Sequence, residues 1–184
     1  MKNLFCAFAF VLAANAAHAE EKKMPPPSVS GTLDRQLSII ESELLPLVEA
    51  MPADKFDFKP SGDGFKDVRT FKQQAGHVAG TLELFAAILL GEKATVNEEE
   101  EKNGPAKLKT KEDYVAFLKG AFAHAHKAAL SVNEKNQLEM VGTSFKGTRL
   151  GFANLLTWHS FDHYGQMVVY ARSNGITPPA SKGD

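Results

Sequence analysis

Apolar residues recur at three- and four-residue steps in four separate stretches of this chain, a spacing that restricts it to amphipathic helices packed side by side. The first stretch covers residues 32–50, with Leu33, Leu37, Ile40, Leu44 and Leu47 on one stripe and Ser30 or Thr32 as candidate caps. The second covers 70–90, where Thr81, Leu84 and Ile88 share a stripe with His77 and Gly91 closes the helix. The third begins near Thr110, whose spacing to Asp113 resembles a capping box, and buries Tyr114, Leu118, Ala121, Ala125 and Ala129. The fourth covers 149–173, followed by Gly175 and by Pro178-Pro179, which stops further helix. No stretch alternates in the manner of a strand, so the expected fold is an all-α four-helix bundle. Its inter-helix connections are long for a minimal up-and-down bundle and so permit a crossover.

The connections themselves carry less pattern. Residues 92–109 include Glu98-Glu99-Glu100-Glu101 and Gly104-Pro105, which read as a solvated loop because the acidic run lacks the ordered spacing of calcium ligands. Residues 20–30 are charged and then proline-rich, as expected of a flexible tether, and residues 31–184 form the bundle domain.

The first nineteen residues stand apart. Lys2 precedes an apolar run from Leu4 to Ala17 that ends in Ala17-His18-Ala19, the layout of a secretory signal peptide cut after Ala19. The run is shorter than the roughly 20 residues a spanning helix needs. The expectation is an exported protein, periplasmic or secreted, with no stable membrane association after cleavage. Cleavage would also remove Cys6, the only cysteine, so the mature chain would have neither disulfide nor thiol nucleophile. A formal charge of −1 gives no sign of a nucleic-acid partner.

Chemistry must then rest on imidazole, carboxylate, hydroxyl or a bound ion, and the histidines separate by helical geometry. His159 and His163 lie about 40° apart at 100° per residue, stacked on the face that also carries Phe152, Leu156, Gln166 and Tyr170. His77 lies on the apolar stripe of the second helix. His124 and His126 diverge by about 200°, so they cannot share an ion; they read as surface residues. A lone histidine on an apolar face is usually bonded to a carbonyl or carboxylate. Two stacked imidazoles left without partners would each cost about 1–3 kcal/mol, a penalty a metal removes by using their lone pairs. Three neutral imidazoles keep a coordination position open and suit zinc, nickel, iron or copper better than magnesium or calcium. No general base is evident, and Asp162 is a weak candidate by direction. The Glu-x-x-His pattern of di-iron bundles is absent at His77, His159 and His163.

Gln74-Ala75-Gly76-His77-Val78-Ala79, then His159-Ser160-Phe161-Asp162-His163-Tyr164-Gly165-Gln166, resemble the DinB-like (YfiT-like) superfamily. So do Met51-Pro52-Ala53-Asp54-Lys55-Phe56-Asp57-Phe58-Lys59-Pro60 and the ending from Tyr170 to Pro179. The resemblance implies a four-helix bundle with a crossover and one divalent metal held by His77, His159 and His163. It also implies a function among those of its members: metal-dependent hydrolases, transferases that use low-molecular-weight thiols, and damage-inducible proteins of unknown activity. The family often has Arg where this chain has Tyr164, and export would separate the chain from cytosolic thiols. The expected function is therefore hydrolytic, on an unknown small-molecule substrate; the alternatives are a non-catalytic metal-binding or stress-response protein and a thiol-dependent transferase. Many members dimerise, so a homodimer is also expected.

Overall fold

A computed structural model describes residues 26–182; the signal-peptide segment and most of the tether lie outside the described residues. Four long helices form the bundle: α1 (Val29–Ala50), α2 (Phe71–Leu90), α4 (Lys111–Leu130) and α5 (Arg149–Ser173). A short α3 (Glu98–Asn103) and a hairpin of β1 (Met140–Val141) with β2 (Gly147–Thr148) occupy the connections. The hairpin is too short to register as an alternating pattern.

Helix ends follow local chemistry. α1 starts earlier than its periodicity indicates, because Ser28 accepts the amide of Gly31 and caps it. Thr70 with Gln73 and Thr110 with Asp113 form the capping boxes of α2 and α4, each satisfying donors that a helix start leaves unpaired. Two further α2 amides, those of Phe71 and Lys72, donate to the carbonyls of Phe58 and Phe56, so the α1–α2 connection is stitched onto the helix it leads into. Phe56 packs on Phe71, and Phe58 stands edge-on to Tyr170 of α5.

α1 packs against α4 and α5, and so does α2, whereas α1 makes little contact with α2 and α4 little with α5. α1 and α2 therefore sit on one diagonal of the bundle and α4 and α5 on the other, while α2 and α4 are neighbours, the crossover that the long connections permit. The stripes from Leu33 to Leu47 and from Tyr114 to Ala129 are buried. α2 is buried nearly all round, since α3 covers the face left between α4 and α5.

That third helix corrects the expectation of a solvated loop. Asn97 accepts the amides of Glu99 and Glu100 while Glu100 accepts the amide of Asn97. The four glutamates occupy the first turn, where negative charge is favourable against the helix dipole. Gly76 and Gly80 let its backbone approach α2 closely. A Cβ at Gly76 would lie 2.5 Å from the carbonyl oxygen of Asn103, and one at Gly80 would lie 2.8 Å from the Cα of Glu101.

Candidate metal centre

The structure brings His77, His159 and His163 together between α2 and α5. Each offers one ring nitrogen, and these atoms lie within 4.8 Å of one another. The ring centroids are 4.6–4.9 Å apart. His77 and His163 are buried and His159 is half-buried, which leaves one side open to solvent.

Proton positions follow from what surrounds the rings. His77 Nδ1 is 2.9 Å from the backbone oxygen of Glu101, which can only accept, so Nδ1 carries the proton and Nε2 presents a lone pair. That carbonyl is available because its helical partner would be the amide of residue 105, and Pro105 has none. His163 Nδ1 similarly donates to Gln74 Oε1 at 2.5 Å, while Gln74 Nε2 donates to Gln166 Oε1 at 2.9 Å. His159 Nε2 lies 3.1 Å from His77 Nε2 and 3.3 Å from the Thr81 hydroxyl. Two nitrogens bound to a tetrahedral zinc at 2.0–2.1 Å are about 3.3 Å apart, so the His77–His159 spacing suits a shared ion. Backbone or amide acceptors on the far ring nitrogens are the arrangement that orients metal-ligating histidines.

Burial is the main cause holding all three imidazoles below the ordinary histidine pKa, and the Arg69 guanidinium pushes in the same direction. His163 is pushed down to about 3 by burial first, then by His159 and His77. The site thus favours the neutral form, the form in which a histidine binds a cation.

One carboxylate at the site is absent from the sequence-based expectation. Glu101 Oε1 accepts the Thr81 hydroxyl at 2.6 Å and lies 3.2 Å from His77 Nδ1. Its acidic run has no periodicity, but Gly76 and Gly80 one turn apart on α2 mark the groove into which that run fits. Asp162 is exposed and accepts from Gln166 of the same helix at 3.3 Å. Gln166 reaches the site through Gln74 instead of through a ring.

His124 and His126 do diverge, but they are not free surface residues. His124 Nδ1 and Nε2 lie 2.7 Å and 3.2 Å from Glu83 and Glu92. His126 sits between Asp34 and Glu41 of α1 at 2.6 Å and 3.1 Å. Both are half-buried because α4 is flanked on both sides, so positions off its apolar stripe meet neighbouring helices instead of water.

Fold and donor set define a helical-bundle protein with three convergent histidines fit for a transition metal. The chain belongs to the DinB superfamily, whose family model matches residues 36–167. Two solved structures share the fold. A DinB-like protein from Bacillus subtilis is 19% identical, with a TM-score of 0.61 over 79% of this chain and 94% of that one. Another from Bacillus cereus is 16% identical, with a TM-score of 0.64 over 83% of this chain and 96% of that one. None of the curated proteins compared with the chain matches it by sequence. Among the described residues, no helix is long and apolar enough to cross a membrane.

Proposed function

We propose that this protein binds one divalent transition-metal ion through His77, His159 and His163 and uses it to hydrolyse a small-molecule substrate outside the cytoplasm. The convergence of three neutral imidazoles on one point carries this reading. Export rests on the signal-peptide pattern of residues 1–19 alone. An ion held here supplies Lewis acidity: it polarises a carbonyl or phosphoryl oxygen and makes water acidic enough to react near neutral pH.

The protein's own groups do the rest. Glu101 O and Gln74 Oε1 hold the rings of His77 and His163 with their Nε2 atoms inward. The buried Thr81 hydroxyl donates to Glu101 Oε1 and lies 3.3 Å from His159 Nε2, so it fixes the Glu101 carboxylate beside the rings. Glu101, whose carboxylate lies 3.2 Å from His77 Nδ1, is the group assigned as the proton acceptor that hydrolysis requires.

The decisive experiment measures metal in protein purified without chelator, then in His159→Ala. One equivalent in the first and little in the second supports the site; no metal in the native protein overturns it. With metal present, turnover on a panel of esters, amides and phosphoesters, lost in His159→Ala, supports hydrolysis. Bound metal with no turnover would make the protein a metal binder without that activity.

A further inference from the structure

Beside the histidines lies a cleft of about 420 Å³ lined by Asp67, Val68, Arg69, Gln74, Lys102, Asn103 and Gln166. Its cation is built in. Arg69 is half-buried, its Nε donates to the Lys102 carbonyl at 2.9 Å, and its own carbonyl accepts the Tyr170 hydroxyl at 3.2 Å. Lys102 O, like Glu101 O, belongs to the last turn of α3, where helix carbonyls lack intrahelical partners. The end of α3 thus fixes His77 with one carbonyl and Arg69 with the next.

Among the described residues, the terminal nitrogens of Arg69 make no hydrogen bond to protein and no carboxylate lies within ion-pair distance of it. The Asp67 carboxylate shares the cleft without pairing with Arg69, and the Lys102 ammonium is engaged by Glu99 at 3.2 Å. A half-buried guanidinium with an unfilled planar fork is matched to a carboxylate or phosphate, which it can grip through two parallel hydrogen bonds. The cleft's volume falls within the range of small-molecule sites. Gln74 forms the wall between cleft and histidines: one face lines the cleft, and its Oε1 holds His163.

We propose that this cleft takes the anionic end, a carboxylate or phosphate, of the small molecule processed at the histidine site, with Arg69 as its anchor. This assignment of substrate class rests on the proposed metal-dependent function. A substrate so held spans Gln74, its charged end on Arg69 and its reacting group at the rings. Gln166 and Asn103 offer further polar contacts along the cleft.

The test separates the two sites. Metal-free full-length protein is titrated with inorganic phosphate and, separately, with acetate, so that no metal competes as the anion's ligand. The expected result is saturable binding of one or both, weakened about tenfold or more in Arg69→Met, the loss of a charge-assisted contact. Gln166→Glu leaves Arg69 and α3 intact but adds a like charge to the cleft, and it too should weaken binding. Failure of both anions to bind the native protein, or unchanged binding in both variants, overturns the proposal. Zinc titration of the same proteins reports on the other reading: Arg69→Met should still take zinc. A native protein that holds phosphate but no zinc would overturn the metal reading and leave the anion site standing.

Discussion

The carbonyl of Glu101 accepts the Nδ1 proton of His77 because Pro105, four residues on, has no amide to claim it. A proline that ends a six-residue helix thereby fixes the tautomer of a histidine on a different helix. Thr81→Val would remove the hydroxyl that orients the Glu101 side chain while keeping the size of the side chain. The backbone bond to His77 would survive. Metal affinity should therefore change little, while hydrolytic turnover falls by about tenfold to a hundredfold, less than the roughly 10²–10⁴-fold that a proton-transfer group itself contributes, because Thr81 acts only by orienting Glu101. Comparing zinc titration with initial rates checks this; an equal loss in both would move Thr81 from chemistry to metal binding.

Gln74 is 2% exposed and is the acceptor for His163. Gln74→Ala would leave the Nδ1–H of His163 buried without a partner, a loss of about 1–3 kcal/mol in stability. Zinc affinity should fall about tenfold to a hundredfold, as for other groups that orient ligands from behind. Gln74→Glu keeps an acceptor and should recover most of that affinity. Titration calorimetry on the three proteins decides; equal weakness in Ala and Glu would show that the amide's donor to Gln166 matters more.

Much of this architecture is legible in residue spacing, and the exceptions have physical causes. Leu33 to Leu47 and Tyr114 to Ala129 are buried as their periodicity indicates, because long helices repeat their stripe often enough to stand out. His77, His159 and His163 converge because an i, i+4 pair on α5 faces the α2 stripe. α3 escapes the same treatment: six residues with four glutamates have no apolar period, and the helix owes its place to glycines on α2. With it were hidden Glu101 and the anchoring of Arg69, both consequences of where a short helix ends. His124 and His126 meet carboxylates instead of water because an off-stripe position in a bundle faces solvent only where no neighbouring helix flanks it.

Glycine substitutions distinguish packing from helix propensity. Replacing an exposed helical glycine with alanine ordinarily stabilises by about 0.5–1 kcal/mol, and Gly120→Ala in α4 should do so, since nothing lies within 4 Å of the added Cβ. Gly80→Ala should act in the opposite sense. Its Cβ would meet the Glu101 backbone at 2.8 Å, so α3 must move. A destabilisation of about 1–3 kcal/mol is expected from such overpacking, together with weaker zinc binding as the carbonyl of Glu101 leaves His77. Urea unfolding and zinc titration read both effects; a stabilised Gly80→Ala would mean that α3 does not dock there.

Glu83 offers a stability test away from the metal centre. It is 7% exposed. Burial alone would push its carboxyl up, but hydrogen bonds from Thr95 and His124, with the histidine's charge, outweigh it and hold the carboxyl below the usual value of 4.5. The folded state therefore binds the proton less readily than the unfolded chain. Stability from the carboxylate is present above the unfolded value and is lost as pH falls through the folded one. Glu83→Gln removes that titration while keeping the shape. It should be less stable than the native protein near neutral pH by about 1–3 kcal/mol, the scale of a lost charged hydrogen bond. The gap should narrow as pH falls below 4.5. Urea unfolding across that range checks the sign: a gap that widens toward acid would mean that burial, not Thr95 and His124, governs Glu83.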